Sequence, residues 1–303
     1  MTATNSPLPS WLILVAFVGS LSALFGGYWD DAWHTERGRD SFFILPHIFI
    51  YAGVASIGAA LSLWVAETAR RDGVRDALTR PTVRLAAVSV AVTLTSGPID
   101  DVWHRAFGRD AVFWSPPHML GIVGTMVLGA ALLAETARRS AGWSIAAGGL
   151  VLAAGNFVVA EYDTDVPQFD VLWYLPALAL GASVALGLVR MLVARPWAAT
   201  EAALAHVAFI GLTGAFLLTQ DFPPPALPLL VAPALALDAA TARGWNAPGR
   251  TAAFVVALFA AYVPVRNWLG SGIELDAVDV LAGLPLAYVA ALPFIALGGG
   301  ARS

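Results

Sequence analysis

Long apolar runs separated by short polar segments dominate the chain from residue 10 onwards. A helix needs roughly 20 mostly apolar residues to cross the hydrocarbon core of a bilayer. Runs of that length predict ten membrane-spanning helices at about residues 10–33, 43–66, 83–103, 116–135, 143–160, 170–192, 200–219, 225–240, 250–266 and 277–297. The eighth run is short, and residues 223–233 contain five prolines, which indicates a broken or re-entrant segment. The pattern predicts an all-α, polytopic integral membrane helical bundle.

Composition supports this fold class. Of the 303 residues, 58% are hydrophobic and 13% are charged, whereas about 25% are charged in a soluble domain. The absence of cysteine excludes disulfides, thiolate metal sites and cysteine nucleophiles. All 17 basic residues are arginine, which excludes a lysine Schiff base. The first run, Trp11 to Tyr28, follows no basic segment and precedes no convincing cleavage site, so we interpret it as a membrane helix and not as a signal peptide.

The arginines are distributed unevenly between the two sets of predicted loops. With ten spans, the side that holds both termini carries twelve arginines and the other side carries five. Since cytoplasmic loops are enriched in basic residues, this predicts a multi-pass protein of the cell membrane with cytoplasmic termini. The opposite face, which is exterior or periplasmic, is rich in carboxylates and would attract cations.

One stretch of the sequence occurs twice in the N-terminal half. The first copy reads Trp29-Asp30-Asp31-Ala32-Trp33-His34, Gly38-Arg39-Asp40 and Pro46-His47, and the second reads Ile99-Asp100-Asp101-Val102-Trp103-His104, Gly108-Arg109-Asp110 and Pro117-His118. The offset is 70 residues from the first aspartate through Gly-Arg-Asp, and 71 residues at Pro-His. Each copy covers two spans, so hairpins 1–2 and 3–4 should be related by a pseudo-twofold axis along the membrane normal. We divide the chain into a duplicated hairpin region, 1–140, and a second helical region, 141–303, that packs on it.

The duplicated motif can build a metal site. Asp30 and His34 lie four residues apart and therefore share one helix face, as do Asp100 and His104. His47 and His118 follow prolines that favour the first turn of the returning helix. Each hairpin thus brings one carboxylate and one imidazole against a second imidazole, a set suited to copper, iron or zinc. Asp31 and Asp101 are alternative ligands or outer-sphere partners.

The alternative interpretation is structural, because interfacial Asp and His often cap helices or bond to each other. Duplication of the pattern favours a metal, since ionisable groups at membrane depth are costly and usually functional. We interpret Arg39 and Asp40 as a structural turn, and His206 as a hydrogen-bonded packing residue. The acidic segment 161–165 is interpreted as a solvated loop.

The spacing Asp30-x3-His34-x12-His47 resembles the copper-site motif of the C subunit of the copper membrane monooxygenases, the particulate methane and ammonia monooxygenase family. Asp100-x3-His104-x13-His118 resembles a second site in that subunit, where the first ligand is typically Asn. The resemblance covers about residues 25–140. It implies two neighbouring copper sites, one formed by Asp30, His34 and His47 and the other by Asp100, His104 and His118. The internal repeat and the helices after residue 140 depart from that family's pattern.

Three functions are therefore open. The first is a copper-dependent membrane oxidase or monooxygenase component acting on a small apolar substrate. The second is non-catalytic copper storage or delivery, and the third is a zinc-dependent membrane hydrolase in which Asp31 or Asp101 acts as base. The expected partners are the lipid bilayer and either other monooxygenase subunits or further copies of the chain, with no nucleic acid. The one-residue asymmetry between the copies predicts two separate mononuclear sites.

Overall fold

The computed structural model describes residues 9–38, 43–79, 81–107, 114–163, 169–268 and 273–299, which contain helices and no strand. The helices are α1 (Ser10–Arg37), α2 (Leu45–Asp72), α3 (Val74–Thr79), α4 (Pro81–Phe107), α5 (Pro116–Thr136), α6 (Ala141–Asn156), α7 (Ala160–Asp163), α8 (Tyr174–Leu192), α9 (Ala198–Thr219), α10 (Val231–Ala242), α11 (Ala247–Trp268) and α12 (Ala277–Leu297). Short 3₁₀ turns, Phe157–Val159 and Val171–Trp173, join α6 to α7 and lead into α8. The all-α prediction is confirmed.

Nine helical segments in these ranges are long and apolar enough to cross a membrane. They are α1, α2, α4, α5, α6 continued through α7, α8 with its preceding turn, α9, α11 and α12. They correspond to nine of the ten predicted spans, and the chain is a multi-pass membrane protein. The predicted eighth span is not a continuous helix: the segment before α10 is not helical and α10 has only 12 residues, which agrees with the prediction of a broken segment.

The segment before α10 is extended and still connects the two ends of the bundle. Phe222 stacks on Trp33 at the end of α1, with ring centroids 5.5 Å apart. Asp238 in α10 contacts Arg190 and Thr200 at the other end of the bundle. Proline has no N–H, so a proline-rich extended segment buries few unsatisfied donors. The amide of Leu229 in this segment donates to the Tyr262 hydroxyl at 3.0 Å.

The sequence repeat is also a repeat in helix packing. In the first hairpin, a Cβ added to Gly53 would lie 2.5 Å from the carbonyl oxygen of Gly19 and 2.9 Å from Ala23 Cβ. In the second hairpin, Ser89 occupies the place of Gly19 and donates its hydroxyl to the Gly124 carbonyl at 2.6 Å. Small residues allow this close approach of helices within a membrane. The pairs α1–α2 and α4–α5 are therefore equivalent hairpins.

The C-terminal helices enclose two buried ion pairs. Arg190 on α8 lies 3.0 Å from Asp238, whose other oxygen accepts the backbone and hydroxyl hydrogens of Thr200, both at 2.8 Å. Arg266 on α11 pairs with Asp163, and the hydroxyl of Tyr174 donates to the same carboxylate at 2.9 Å. Each pair connects helices distant in sequence. Most residues of α6 and α8 are buried, because α6 packs against both α5 and α8, and α8 also packs against α12.

Candidate metal centre

Asp30, His34 and His47 converge near the end of the first hairpin. One ligand atom from each residue can be chosen so that all three lie within 4.8 Å of one another. Asp30 Oδ1 lies 3.1 Å from His47 Nε2, and Asp30 Oδ2 lies 3.8 Å from His34 Nε2. Among the described residues, these three side chains form the group that could hold a metal ion. They are the trio that the sequence predicts for the first copy of the motif.

Local structure explains the convergence. Helix α1 continues to Arg37, four residues beyond the predicted end, so that Asp30 and His34 both lie on regular helix one turn apart. Helix α2 begins at Leu45 after an extended Ile44, with Pro46 in its first turn. His47 therefore projects from the start of α2 towards the end of α1. Close packing around Gly26, where an added Cβ would lie 2.7 Å from the Pro46 carbonyl oxygen, fixes the separation of the two helices.

The distances are compatible with a shared metal ion. Zinc and copper bind imidazole nitrogen and carboxylate oxygen at about 2.0–2.2 Å, so two ligands of one ion lie roughly 3.1–3.5 Å apart. The Asp30–His47 distance of 3.1 Å falls in that range, and the Asp30–His34 distance of 3.8 Å exceeds it slightly. The His34 side chain is 46% exposed and can close the remaining gap by a small rotation.

Asp30 also has a buried carboxylate oxygen that could coordinate a metal ion. Its Oδ1 is buried and receives no hydrogen bond of acceptable geometry from the described residues, although His47 Nε2 is near. A buried carboxylate oxygen without a donor is costly unless a cation compensates for it. The donor set, two imidazoles and one carboxylate with open positions, therefore fits a transition metal.

The second copy of the motif reproduces the Asp30–His47 pair of the first copy. Asp100 Oδ1 lies 3.1 Å from His118 Nε2, the same distance as between Asp30 and His47. His104 belongs to α4, but its side chain lies outside the part of the chain that the structure describes. The structure thus shows the Asp–His pair of the second predicted trio and does not test its third member.

The neighbouring aspartates do not join the pairs. Asp31 is not part of the group that lies within 4.8 Å, and its carboxylate interacts electrostatically with Asp30, Glu161 and Asp163. Asp101 is half exposed and forms an ion pair with Arg105. These positions favour an outer-sphere role over a ligand role for both residues.

The two copies differ in their surroundings. Trp29 packs against Phe25, Phe49 and Phe216, with ring centroids 5.2 to 5.8 Å apart. Ile99, which occupies the equivalent place in the second hairpin, is 44% exposed. The first site is therefore embedded in the bundle and the second lies at its periphery. Sequence reasoning missed this aromatic cluster, because Phe216 and Phe222 lie far from the motif along the chain.

Other candidate residues are placed as follows. The turn residues Arg39, Asp40, Gly108, Arg109 and Asp110 lie outside the described residues. His206 is fully buried in α9, and neither ring nitrogen has a hydrogen-bond partner among the described residues, so it packs without the predicted hydrogen bond. The solvated-loop interpretation of 161–165 is wrong for its described part. Glu161 and Tyr162 are buried, and Asp163 pairs with Arg266, because residues more than 100 positions later cover the segment.

Comparison with protein family models, curated proteins and solved structures finds no match to this chain. The resemblance of its Asp–His spacing to the copper membrane monooxygenases therefore stays a prediction. The fold and the site define a multi-pass helical membrane protein with a duplicated Asp–His pair.

Proposed function

We propose that this chain is a membrane-embedded copper-binding protein that serves as the metal-bearing component of a copper-dependent membrane oxidoreductase of the monooxygenase type. The observation that carries the proposal is the convergence of Asp30, His34 and His47 within 4.8 Å. The repetition of the Asp–His pair in the second hairpin supports it, since a packing accident is not expected to recur at the same distance.

The choice of copper rests on the donor set. Nitrogen and oxygen ligands bind divalent first-row metals in the Irving–Williams order, in which copper binds most tightly. Two histidines supply neutral nitrogen donors, and the Asp30 carboxylate supplies one negative charge. Zinc or iron in the same trio is the alternative metal, and elemental analysis distinguishes the three.

The three side chains would bind the metal ion and shield it on most sides. Asp30 and His47 are largely enclosed, with side chains 22% and 18% exposed, while His34 is open on one side. Copper held by these residues would supply one-electron redox chemistry with dioxygen. The side chains of Ile48 and Phe49, next to His47, are exposed on the outside of the bundle. These residues offer an apolar substrate dissolved in lipid a direct approach to the trio.

Orientation is part of the proposal. The arginine distribution supports cytoplasmic termini, with both Asp–His pairs near the periplasmic or extracellular side. Copper on that side would reach the trio without crossing the membrane. The acidic face of the bundle would raise the local concentration of copper ions.

The test combines spectroscopy with turnover. Pulsed electron paramagnetic resonance of the protein loaded with one Cu(II) should show two coupled imidazoles at the first site, with one coupling lost in His34→Ala and one in His47→Ala. Reductant-dependent oxygen consumption in membranes that contain the reduced protein should depend on both histidines. Histidine-coupled copper without oxygen consumption would instead support storage or delivery. Zinc-dependent hydrolysis without bound copper would contradict the proposal.

A further inference from the structure

Arg250, in the first turn of α11, is a buried arginine whose charge has no partner within the described ranges. The residue is 9% exposed, its Nε is enclosed without a hydrogen-bond partner, and its side chain forms no ion pair there. Arg190 and Arg266, the other buried arginines of the C-terminal helices, each pair with a carboxylate. Arg250 is therefore a buried cation that still lacks a counter-charge.

The guanidinium of Arg250 lies against the C-terminal end of α12. A Cβ added to Gly299 would overlap this guanidinium, and a Cβ added to Gly298 would lie 3.0 Å from Arg190 Cβ. The two glycines thus leave room for the Arg250 side chain. The end of α12 carries a partial negative charge, but the start of α11 carries a partial positive charge of similar size, so the two helix ends together supply little net compensation.

The carboxylates at this end of the C-terminal helices are already engaged. In the part of the chain that the structure describes, they belong to Asp238 on α10 and Glu201 on α9. Asp238 pairs with Arg190 and accepts hydrogen bonds from Thr200, and Glu201 pairs with Arg195. A buried charge without a partner is strongly unfavourable. An anionic ligand at Arg250 would remove that cost.

We propose that Arg250 binds a phosphate group, supplied by the headgroup of an anionic phospholipid or by free phosphate. A guanidinium presents planar, paired N–H donors that match the oxygens of a phosphate. Arg250 lies in the first turn of a membrane-spanning segment, which is the depth at which phospholipid headgroups lie. Basic pockets between membrane helices bind anionic headgroups in this way. The bound phosphate connects the start of α11 to the end of α12.

The melting temperature of the purified full-length protein in a neutral detergent tests this site. Phosphatidylglycerol should raise it, since a ligand that binds only the folded state stabilises it, whereas diacylglycerol, which lacks the phosphate, should not. In Arg250→Met the rise should be absent, and the affinity for phosphatidylglycerol, measured by native mass spectrometry, should fall by about tenfold or more. Arg243→Met is the matched control, because Arg243 is an exposed arginine whose guanidinium donates to the Ala239 carbonyl of its own helix. Its response should equal that of wild type.

Inorganic phosphate identifies the source of the group. Stabilisation by phosphatidylglycerol alone would assign a lipid headgroup, and equal stabilisation by inorganic phosphate would assign free phosphate. Without either ligand, Arg250→Met should melt no lower than wild type, since the substitution removes an uncompensated buried charge. The proposal is overturned if neither ligand stabilises the wild-type protein, if Arg250→Met responds as wild type does, or if Arg250→Met melts lower without ligand, which would show that the end of α12 alone compensates the charge.

The phosphate site is independent of the proposed copper site, because Arg250 and the Asp–His pairs belong to different helices. The His34→Ala, His47→Ala double variant should therefore show the same stabilisation by phosphatidylglycerol as wild type. Failure of the copper proposal would leave this response intact, and loss of the response in Arg250→Met should leave copper binding unchanged.

Discussion

Asp30 Oδ1 lies 3.1 Å from His47 Nε2, and the same atoms of Asp100 and His118 lie 3.1 Å apart in the second hairpin. In each case the aspartate comes from the first helix of a hairpin and the histidine from the first turn of its returning helix. The two pairs share no residue. Each hairpin therefore positions its own Asp–His pair.

Separate pairs predict separate metals. The trio of the first site is drawn entirely from α1 and α2, so no ligand bridges the hairpins in the described residues. Two metals that share ligands would lie about 3.5–4 Å apart and would be spin-coupled. We expect two ordinary Cu(II) signals in electron paramagnetic resonance. His47→Ala should remove one signal and His118→Ala the other, whereas a silent coupled pair would contradict the separation.

Close packing of the first hairpin predicts a large effect at Gly53. In Gly53→Val the new side chain would overlap the Gly19 carbonyl oxygen and Ala23, so we expect a loss of about 1–3 kcal/mol in the free energy of unfolding. Gly58→Ala is the control on the same helix, because its added methyl would meet Val90 at an ordinary 3.7 Å. Denaturant unfolding in detergent measures both. Equal stability of the two variants would argue against the observed helix separation.

The buried pair of Arg190 and Asp238 predicts a further difference in stability. Asp238→Ala leaves the guanidinium without its carboxylate and removes the acceptor for Thr200, and breaking such a buried pair costs about 3–5 kcal/mol. Glu201→Ala breaks the exposed pair with Arg195, which should cost about 0–1 kcal/mol. The same unfolding assay compares the two variants. A small loss for Asp238→Ala would mean that α10 does not pack here.

Orientation can be tested because the chain contains no cysteine. Glu36 and Arg75 are exposed at opposite ends of the first hairpin, so Glu36→Cys and Arg75→Cys provide matched reporters. With a membrane-impermeant maleimide on intact cells, Glu36→Cys should react, and Arg75→Cys should react only after lysis. The reverse result would place the trio in the cytoplasm.

Much of this architecture could be predicted because it is local. Nine spans follow from the length of apolar runs, and the Asp30–His34 relationship follows from helix periodicity. The position of His47 required one further inference, that Pro46 begins the returning helix. These features depend on residues close together in sequence.

The features that the sequence did not predict are contacts between segments far apart along the chain. The prolines of segment 223–233 indicated a broken helix, but only its contacts with Trp33 and Asp238 locate its two ends. Nothing in the sequence around Asp163 predicts its ion pair with Arg266, which lies 103 residues later. The local pattern likewise gives no sign that the first motif is embedded and the second peripheral, because that depends on Phe216 of α9 and on Phe222 packing against Trp29 and Trp33 of the first motif.

The measurement that tests the central claim most directly is the metal content of the purified protein after equilibrium dialysis against copper. The wild-type protein should retain copper, and the His34→Ala, His47→Ala double variant should lose the share bound at the first site, with affinity there reduced by at least about tenfold to a hundredfold. Glu201→Gln, which alters a carboxylate paired with Arg195 and distant from both Asp–His pairs, should retain wild-type content. Copper content unchanged in the double variant would contradict the assignment of Asp30, His34 and His47 as a metal centre.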